Sequence, residues 1–152
     1  MENNERVYLR DVTREDCDLL FSWANNKETR KNSFNSEQID YKEHVEWFNN
    51  LLLSDNRKQF LLMAGSDPVG QVRIDIYGNC CEISYSIEAS NRNKGYGTEI
   101  IKLAIDKIKN DFSEIKTITA RIKPENVASM KCFEKNGFEE KFREYTLEIA
   151  EQ

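Results

Sequence analysis

Two consecutive segments near the middle of the chain alternate apolar and polar residues with a period of two. Their apolar positions are Val72, Ile74 and Ile76 in the first segment and Ile83, Tyr85 and Ile87 in the second. A period of two places successive side chains on opposite faces of a β-strand, and Tyr77-Gly78-Asn79 between the segments is typical of a turn. The pattern therefore predicts antiparallel strands at 69–76 and 81–87, the second of which presents Glu82, Ser84 and Ser86 on one face.

Similar patterns divide the rest of the chain into elements. Further strands are predicted at 7–10, 59–64 and 117–122, with one or two closing strands within 138–149. Helices are predicted from Thr13 through Trp23, from Asp40 to about residue 53, over 95–110 and over 128–136, and 25–38 is a loop or a broken helix. No repeat or linker divides the 152 residues, which fits one domain spanning 1–152. The order of elements predicts an α+β or mixed α/β fold.

Composition restricts the class of partner. Asp and Glu number 27 and Lys and Arg 22, for a net charge of −5, which argues against broad electrostatic binding of nucleic acid or of an anionic membrane surface. No apolar run approaches the roughly 18–20 residues of a membrane helix, and the first residues lack the apolar segment of a signal peptide. We therefore expect a cytoplasmic protein. The four cysteines include no C-x-x-C pair and accompany a single histidine, so no metal site is expected.

A strand-to-helix junction at 91–98 carries the clearest chemical signal. It reads Asn91-Arg92-Asn93-Lys94-Gly95-Tyr96-Gly97-Thr98. Glycines let the backbone approach a ligand closely, a helix N-terminus presents unpaired N–H groups that suit a pyrophosphate, and Arg92 and Lys94 add positive charge. The junction lacks the Lys-Ser/Thr pair of a Walker loop, and Ile100 replaces the third glycine of a Rossmann fingerprint. By its residues alone, it is either an anion-binding loop or a glycine turn that starts a helix.

A second segment, from Asn126 to Phe138, follows the strand predicted at 117–122. Taken together, Arg92-x-x-Gly95-x-Gly97, Asn126-x-x-Ser129 and Lys135-x-Gly137-Phe138 resemble the two signatures of the GNAT superfamily of acetyl-CoA-dependent N-acetyltransferases. The resemblance extends over about 7–149. It implies a mixed central sheet of six to seven strands, antiparallel in its first half with a splayed parallel pair, flanked by about four helices.

The resemblance also implies where acetyl-CoA binds. The cofactor would lie between the strands at 81–87 and 117–122, with its pantetheine arm along the first strand and its pyrophosphate on backbone N–H groups of the glycine loop. The residues implied in cofactor binding are Ser86, Ile87, Arg92, Asn93, Lys94, Gly95, Tyr96, Gly97, Thr98, Asn126, Ser129, Lys131 and Phe133.

Transfer of an acetyl group to an amine needs a neutral amine and a stabilised leaving thiolate. Glu82 is the first candidate for the base, because the family often places a carboxylate in this stretch; a solvent-facing strand residue is the alternative. His44 is the second candidate, since imidazole titrates near pH 6.5, and its alternative is a packing role on its helix. Phe133 stands where many members carry a tyrosine that assists thiolate departure, so Ser129 is the nearest matched proton donor. Two further hydroxyl groups are outside candidates, those of Tyr85 and Tyr145.

The acceptor is expected to contact the first helices and the loop between them. The residues assigned to it are Trp23, Asn25, Arg30, His44, Trp47, Arg73 and Glu82. Trp23, Trp47 and Phe48 would form a flat apolar wall for a deoxy sugar or a nucleobase, unless both tryptophans are core residues. Arg30 or Arg73 would bind a phosphate.

The same stretch resembles acetyltransferases of nucleotide-amino-sugar pathways and, more distantly, those that modify ribosomal-protein N-termini. We therefore expect a small-molecule amine such as a nucleotide-linked amino sugar, with a peptide N-terminus as the alternative. Two other interpretations stay open: Phe133 is compatible with a non-catalytic CoA-binding module, and the glycine turn with a structural domain that binds no cofactor. Either a monomer or a homodimer is expected.

Overall fold

The computed structural model describes residues 6–150 and places one five-stranded sheet at their centre. Its strands are β1 (Val7–Asp11), β2 (Arg57–Ala64), β3 (Asp67–Tyr77), β4 (Cys80–Ile87) and β5 (Thr117–Thr119). They lie side by side in sequence order; β1 to β4 are antiparallel neighbours, whereas β5 is parallel to β4. The mixed α/β class and the antiparallel half with one parallel pair are therefore confirmed.

Five helices flank this sheet within the described residues. They are α1 (Cys17–Ala24), α2 (Lys27–Asn32), α3 (Tyr41–Leu52), α4 (Tyr96–Asp111) and α5 (Val127–Lys135). Polar side chains begin three of them, because Asn26, Asp40 and Asn126 each accept a hydrogen bond from a backbone N–H of the first turn. None of the helices in this part of the chain is long and apolar enough to cross a membrane.

The two faces of the sheet support separate hydrophobic cores. On one face, α4 and α5 cover a cluster that includes Val72, Ile83 and Ile100. On the other, α1 and α3 cover a smaller cluster around Phe48 and Leu61. Because strand side chains alternate between faces, the polar residues of β3 and β4 fall on the second face, beside the smaller cluster.

The predicted pairing of the two alternating segments is confirmed. β3 and β4 pair so that Gln71 lies opposite Ser86, Arg73 opposite Ser84, and Asp75 opposite Glu82. This register gathers their polar side chains into one continuous patch. The patch extends onto β2, where Gln59 lies opposite Arg73.

Three expectations about the strands were wrong. The sheet has five strands in the described residues instead of six to seven, and β5 ends at Thr119 instead of residue 122, because β5 has lost its partner by then. No strand forms within 138–149, where the alternating side chains Tyr145, Leu147 and Ile149 are exposed and meet no neighbouring strand. About four helices were expected and five are found, because Asn26 starts the short helix α2 inside 25–38, which was expected to be a loop or a broken helix.

Candidate active site where two parallel strands separate

The parallel pair β4–β5 separates after three residue pairs. Cys80, Cys81 and Glu82 pair with Thr117, Ile118 and Thr119, and the ladder then ends. Beyond that point a cavity of about 1220 Å³ is lined by β4, the chain after β5, α2, α3 and the first turns of α4 and α5. The remaining residues of β4, 83–87, have no ladder partner on this side among the described residues, so their backbone groups border the cavity.

The N-terminus of α4 lies at one end of this cavity. Gly95 precedes the helix with φ +85°, a left-handed conformation that favours glycine, and Asn93 also has a positive φ of 64°. The N–H groups of Tyr96 and Gly97 lie in the first turn, where no carbonyl of the same helix can accept from them. These N–H groups and the positive end of the helix dipole favour a bound anion.

Gly97 is needed for a close approach between elements. A Cβ atom at this position would lie 2.9 Å from Cys132 Sγ and 3.3 Å from the Tyr85 hydroxyl oxygen. The first contact is shorter than carbon and sulfur tolerate, so only glycine lets α4 begin this close to α5 and β4. Packing between these elements therefore accounts for the glycine at position 97.

The Arg92 side chain joins the glycine loop to α2. Its Nε donates to the carbonyl of Ile87 at 3.2 Å, and its terminal nitrogens contact Asn26, Glu28 and Thr29. The guanidinium is thus occupied by protein groups, and the anion site depends mainly on backbone N–H groups. Arg92 lines the cavity, whereas three residues assigned to the cofactor do not: Lys94, Thr98 and Lys131.

Glu82 is the last β4 residue that pairs with β5, and it lies at the point of separation. Its Oε1 accepts a hydrogen bond from Arg121 Nε at 2.6 Å, and the Arg121 guanidinium lies 4.9 Å from the centre of the Phe34 ring. The hydrogen bond and the charge of Glu82 raise the pKa of Arg121. All three residues line the cavity, which places a partly buried carboxylate beside the parallel strands.

A pair of hydroxyl groups lies on the α5 side. The Tyr85 hydroxyl contacts the side chains of Ser129 and Cys132, and burial raises the pKa of Tyr85, so this hydroxyl keeps its proton. The Tyr85 ring packs edge-on against Phe133 at 5.7 Å, and Phe133 is itself buried. Tyr145, in contrast, is exposed and does not line the cavity.

His44 reaches the cavity from α3 but is enclosed by aromatic rings. Its side chain is stacked on Phe48, tilted against Phe21, and hydrogen-bonded through Nε2 to the Cys17 carbonyl at 3.1 Å. Burial lowers its pKa, so the ring is neutral at pH 7. A hydrogen bond from Nε2 to a carbonyl leaves Nδ1 as the ring's acceptor.

The residues expected to contact the acceptor fall into two groups. Trp23, Trp47 and Arg73 are half-buried and line the cavity. Asn25 does not, because its amide holds the backbone of Ile39 through two hydrogen bonds. Arg30 does line the cavity, but its guanidinium donates to the carbonyls of residues 24, 35 and 37, so it supports the loop after α2.

Three cavity residues escaped the sequence analysis. Arg121 meets Glu82 from 39 positions away, which no local pattern reveals. Gln59 follows Arg57 and Lys58 at the polar start of β2, and Gln71 is one of the alternating polar residues of β3, so neither amide stands out in the sequence.

Comparisons with known proteins agree with this geometry. The profile of the acetyltransferase (GNAT) domain matches residues 6–139. A curated relative, the acetyltransferase PseH of Campylobacter jejuni, is 23% identical over 129 residues, which are 84% of this chain and 80% of PseH.

Two solved structures share the fold. The structure of AAC(6′)-Ib in complex with ribostamycin and coenzyme A superposes with a TM-score of 0.80 at 22% identity, covering 90% of this chain and 85% of the other. The spermidine N-acetyltransferase from Vibrio cholerae in complex with CoA and spermine gives 0.81 at 19% identity, covering 90% and 82%.

Proposed function

Because the chain belongs to the GNAT acetyltransferase family and is an acetyl-CoA-dependent N-acetyltransferase, we propose that its acceptor is the primary amine of a nucleotide-linked amino sugar. The observation that carries the proposal is Arg73. Its guanidinium lies 5.4 Å from the centre of the Trp47 ring, in the cavity that also holds Glu82. A cation beside a flat apolar surface suits a phosphate joined to a nucleobase or sugar.

The cavity fits acetyl-CoA. The unpaired backbone of β4 at Ser86 and Ile87 suits a pantetheine arm, the open N-terminus of α4 suits a pyrophosphate, and Asn126 and Ser129 line the opposite wall. When bound, acetyl-CoA supplies an acetyl group activated as a thioester. The protein's own residues must then orient the amine, remove its proton and provide a hydrogen-bond donor for the departing sulfur.

We assign removal of the amine proton to Glu82. Its Oε1 is engaged by Arg121, which holds the carboxylate in place and leaves Oε2 as the available base. The base accepts a proton from the acceptor's ammonium, directly or through one water, and the neutral nitrogen then attacks the acetyl carbon. His44 is less suited, because its ring is enclosed by Phe48 and Phe21.

We assign support of the leaving sulfur to the Tyr85–Ser129 pair. Phe133 has no hydroxyl and is buried against Tyr85, so Tyr85 places a hydroxyl beside the position where many family members carry one. Because its pKa is raised by burial, Tyr85 acts as a hydrogen-bond donor that stays protonated, and Ser129 can relay a proton from solvent.

The charges of the cavity favour an anionic acceptor over a polycation. Five Lys or Arg residues and three Glu residues line it, in a chain whose net charge is −5. Arg73 in particular can receive a phosphate: its Nε pairs with Asp75 at 3.2 Å, and its two terminal nitrogens donate to no other group in residues 6–150. A bidentate donor of this kind matches a phosphate.

The test is an acceptor screen with release of free thiol from acetyl-CoA as the readout. The panel contains a UDP-linked 4-amino sugar, the same sugar without the nucleotide, spermidine, and a peptide with a free N-terminal serine. We expect the nucleotide-linked sugar to give the highest kcat/KM. Arg73→Met should raise its KM at least tenfold and leave the KM of the free amino sugar unchanged.

Other outcomes of the same screen reject the proposal. Preference for the peptide would identify an N-terminal acetyltransferase. Acetyl-CoA binding without thiol release from any amine would indicate a non-catalytic module. An equal effect of Arg73→Met on both forms of the sugar would remove the phosphate contact from the argument.

A further inference from the structure

Three polar side chains form a hydrogen-bonded row across β2, β3 and β4 on the cavity floor. Gln59 Nε2 donates to Gln71 Oε1 at 2.8 Å, and Gln71 Nε2 donates to Ser86 Oγ at 3.0 Å. All three residues line the cavity. The row therefore connects the edge of the smaller hydrophobic core with the part of β4 that borders the cofactor.

The row ends in an unsatisfied group. Gln59 is only 7% exposed, yet its Oε1 has no hydrogen-bond partner. A buried amide oxygen without a partner is unfavourable, because it has lost its hydrogen bonds to water and gained none in return. In this row both amides donate toward Ser86, so the group left without a partner on Gln59 is an acceptor.

The other end of the row can donate. Ser86 Oγ accepts from Gln71, so its own hydrogen is free to point into the cavity. A ligand lying across the row would thus meet an acceptor at Gln59 and a donor at Ser86. Hydroxyl groups satisfy both, because each can donate and accept.

The charge near Gln59 limits the ligand group further. Arg73 lies directly opposite Gln59 on β3, so an ammonium at Gln59 would be repelled by a guanidinium. A carboxylate or an ionised phosphate has no proton to donate to the Oε1 acceptor. The ligand group that fits this position is therefore an uncharged hydrogen-bond donor.

We propose that Gln59, held by Gln71 and Ser86, binds a hydroxyl group of the acceptor and makes the enzyme selective for hydroxylated amines over plain alkylamines. The inference rests on the proposed function, because it concerns the sugar part of the same acceptor. A site built to bond a hydroxyl discriminates strongly against a ligand that lacks one, since the buried amide is then left unpaired.

The experiment compares two primary amines on six-membered rings, 6-amino-6-deoxy-D-glucose and cyclohexylmethylamine. For the wild type we expect kcat/KM to favour the hydroxylated amine at least 100-fold. Gln59→Met, which keeps the length of the side chain without its amide, should reduce that preference at least tenfold, mainly through KM. Ser84→Ala, on the same face but outside the row, is the matched control and should keep the preference.

A binding measurement decides the proposal independently of turnover. With coenzyme A present, 6-amino-6-deoxy-D-glucose should raise the melting temperature of the wild type more than cyclohexylmethylamine does, and Gln59→Met should abolish the difference while still responding to coenzyme A alone. Equal shifts by the two amines in the wild type would overturn the subsite. Preference for the peptide over the nucleotide-linked sugar in the acceptor screen would overturn the proposed acceptor, and the melting shifts would still decide the subsite.

Discussion

The effect of Gly97→Ala on the stability of the protein should depend on the residue at position 132, and its sign should change when Cys132 is replaced. A Cβ at Gly97 lies 2.9 Å from Cys132 Sγ, and overpacking of this kind is unfavourable by about 1–3 kcal/mol. Alanine in a helix is otherwise favoured over glycine by about 0.8–1.0 kcal/mol. Gly97→Ala should therefore destabilise the protein by up to about 2 kcal/mol when Cys132 is present.

The same substitution should be neutral or stabilising once the sulfur is removed. In a Cys132→Ala background the nearest remaining contact is the Tyr85 hydroxyl at 3.3 Å, which a small shift relieves. The two substitutions should thus show a coupling energy of about 1–2 kcal/mol, within the range for residues in direct contact.

Urea denaturation of the wild type, the two single variants and the double variant measures this coupling energy. Calorimetric titration of the same proteins with coenzyme A measures the effect on cofactor binding. The clash displaces the first turn of α4 and with it the N–H groups that would bind the pyrophosphate. Gly97→Ala alone should therefore raise the Kd for coenzyme A about tenfold, equal to about 1.4 kcal/mol. The double variant should recover most of that loss. Identical effects of Gly97→Ala in both backgrounds would refute the packing argument.

Three further predictions follow from single residues. Glu82→Gln should lower kcat by about 10²–10⁴, the range for loss of a general base, with an unchanged Kd for coenzyme A; an unaltered pH–rate profile would exclude Glu82 as the base. Burial disfavours ionisation of Asp16, but hydrogen bonds from Arg10 and the Thr13 N–H outweigh burial and lower the pKa of Asp16. Asp16→Asn should therefore destabilise the protein at pH 7 by about 1–2 kcal/mol. In urea denaturation, the difference in stability between wild type and variant should shrink as the pH falls below about 4. Burial lowers the pKa of His44, so the unfolded chain binds the proton more readily than the folded protein. The stability of the protein should therefore fall as the pH drops below about 6.5. His44→Gln should lose less stability than the wild type between pH 7.5 and 5.5, and an equal loss of stability in the two proteins would contradict a buried neutral ring.

The strand and helix patterns were sufficient to predict most of the fold. Alternation over 69–87 determined both the pairing of β3 with β4 and the polar face that carries Glu82, because a period of two leaves one choice of face once the apolar side is buried. The length of β5 could not be predicted from such patterns. Thr117–Ile122 has strand-like residues throughout, but pairing ends where β4 moves away, and that separation is a property of two distant segments.

The candidate site was predictable where its chemistry is local. The glycine loop presents backbone N–H groups at the start of α4, and the Asn126 side chain caps α5. Short sequence motifs describe both features. Side chains with distant partners were not predictable. The arginine of the loop, Arg92, suggested a phosphate ligand but contacts α2 instead, and the burial of His44 depends on rings from two helices.

One wall of the cavity is formed by the chain that follows β5, and β5 is attached to the sheet by three residue pairs, whereas β3 and β4 share eight. Segments with few pairings open locally at lower free energy than the protein as a whole. On heating, catalytic inactivation should therefore precede the loss of helical circular dichroism, and saturating coenzyme A should narrow the gap between the two temperatures by bridging both walls.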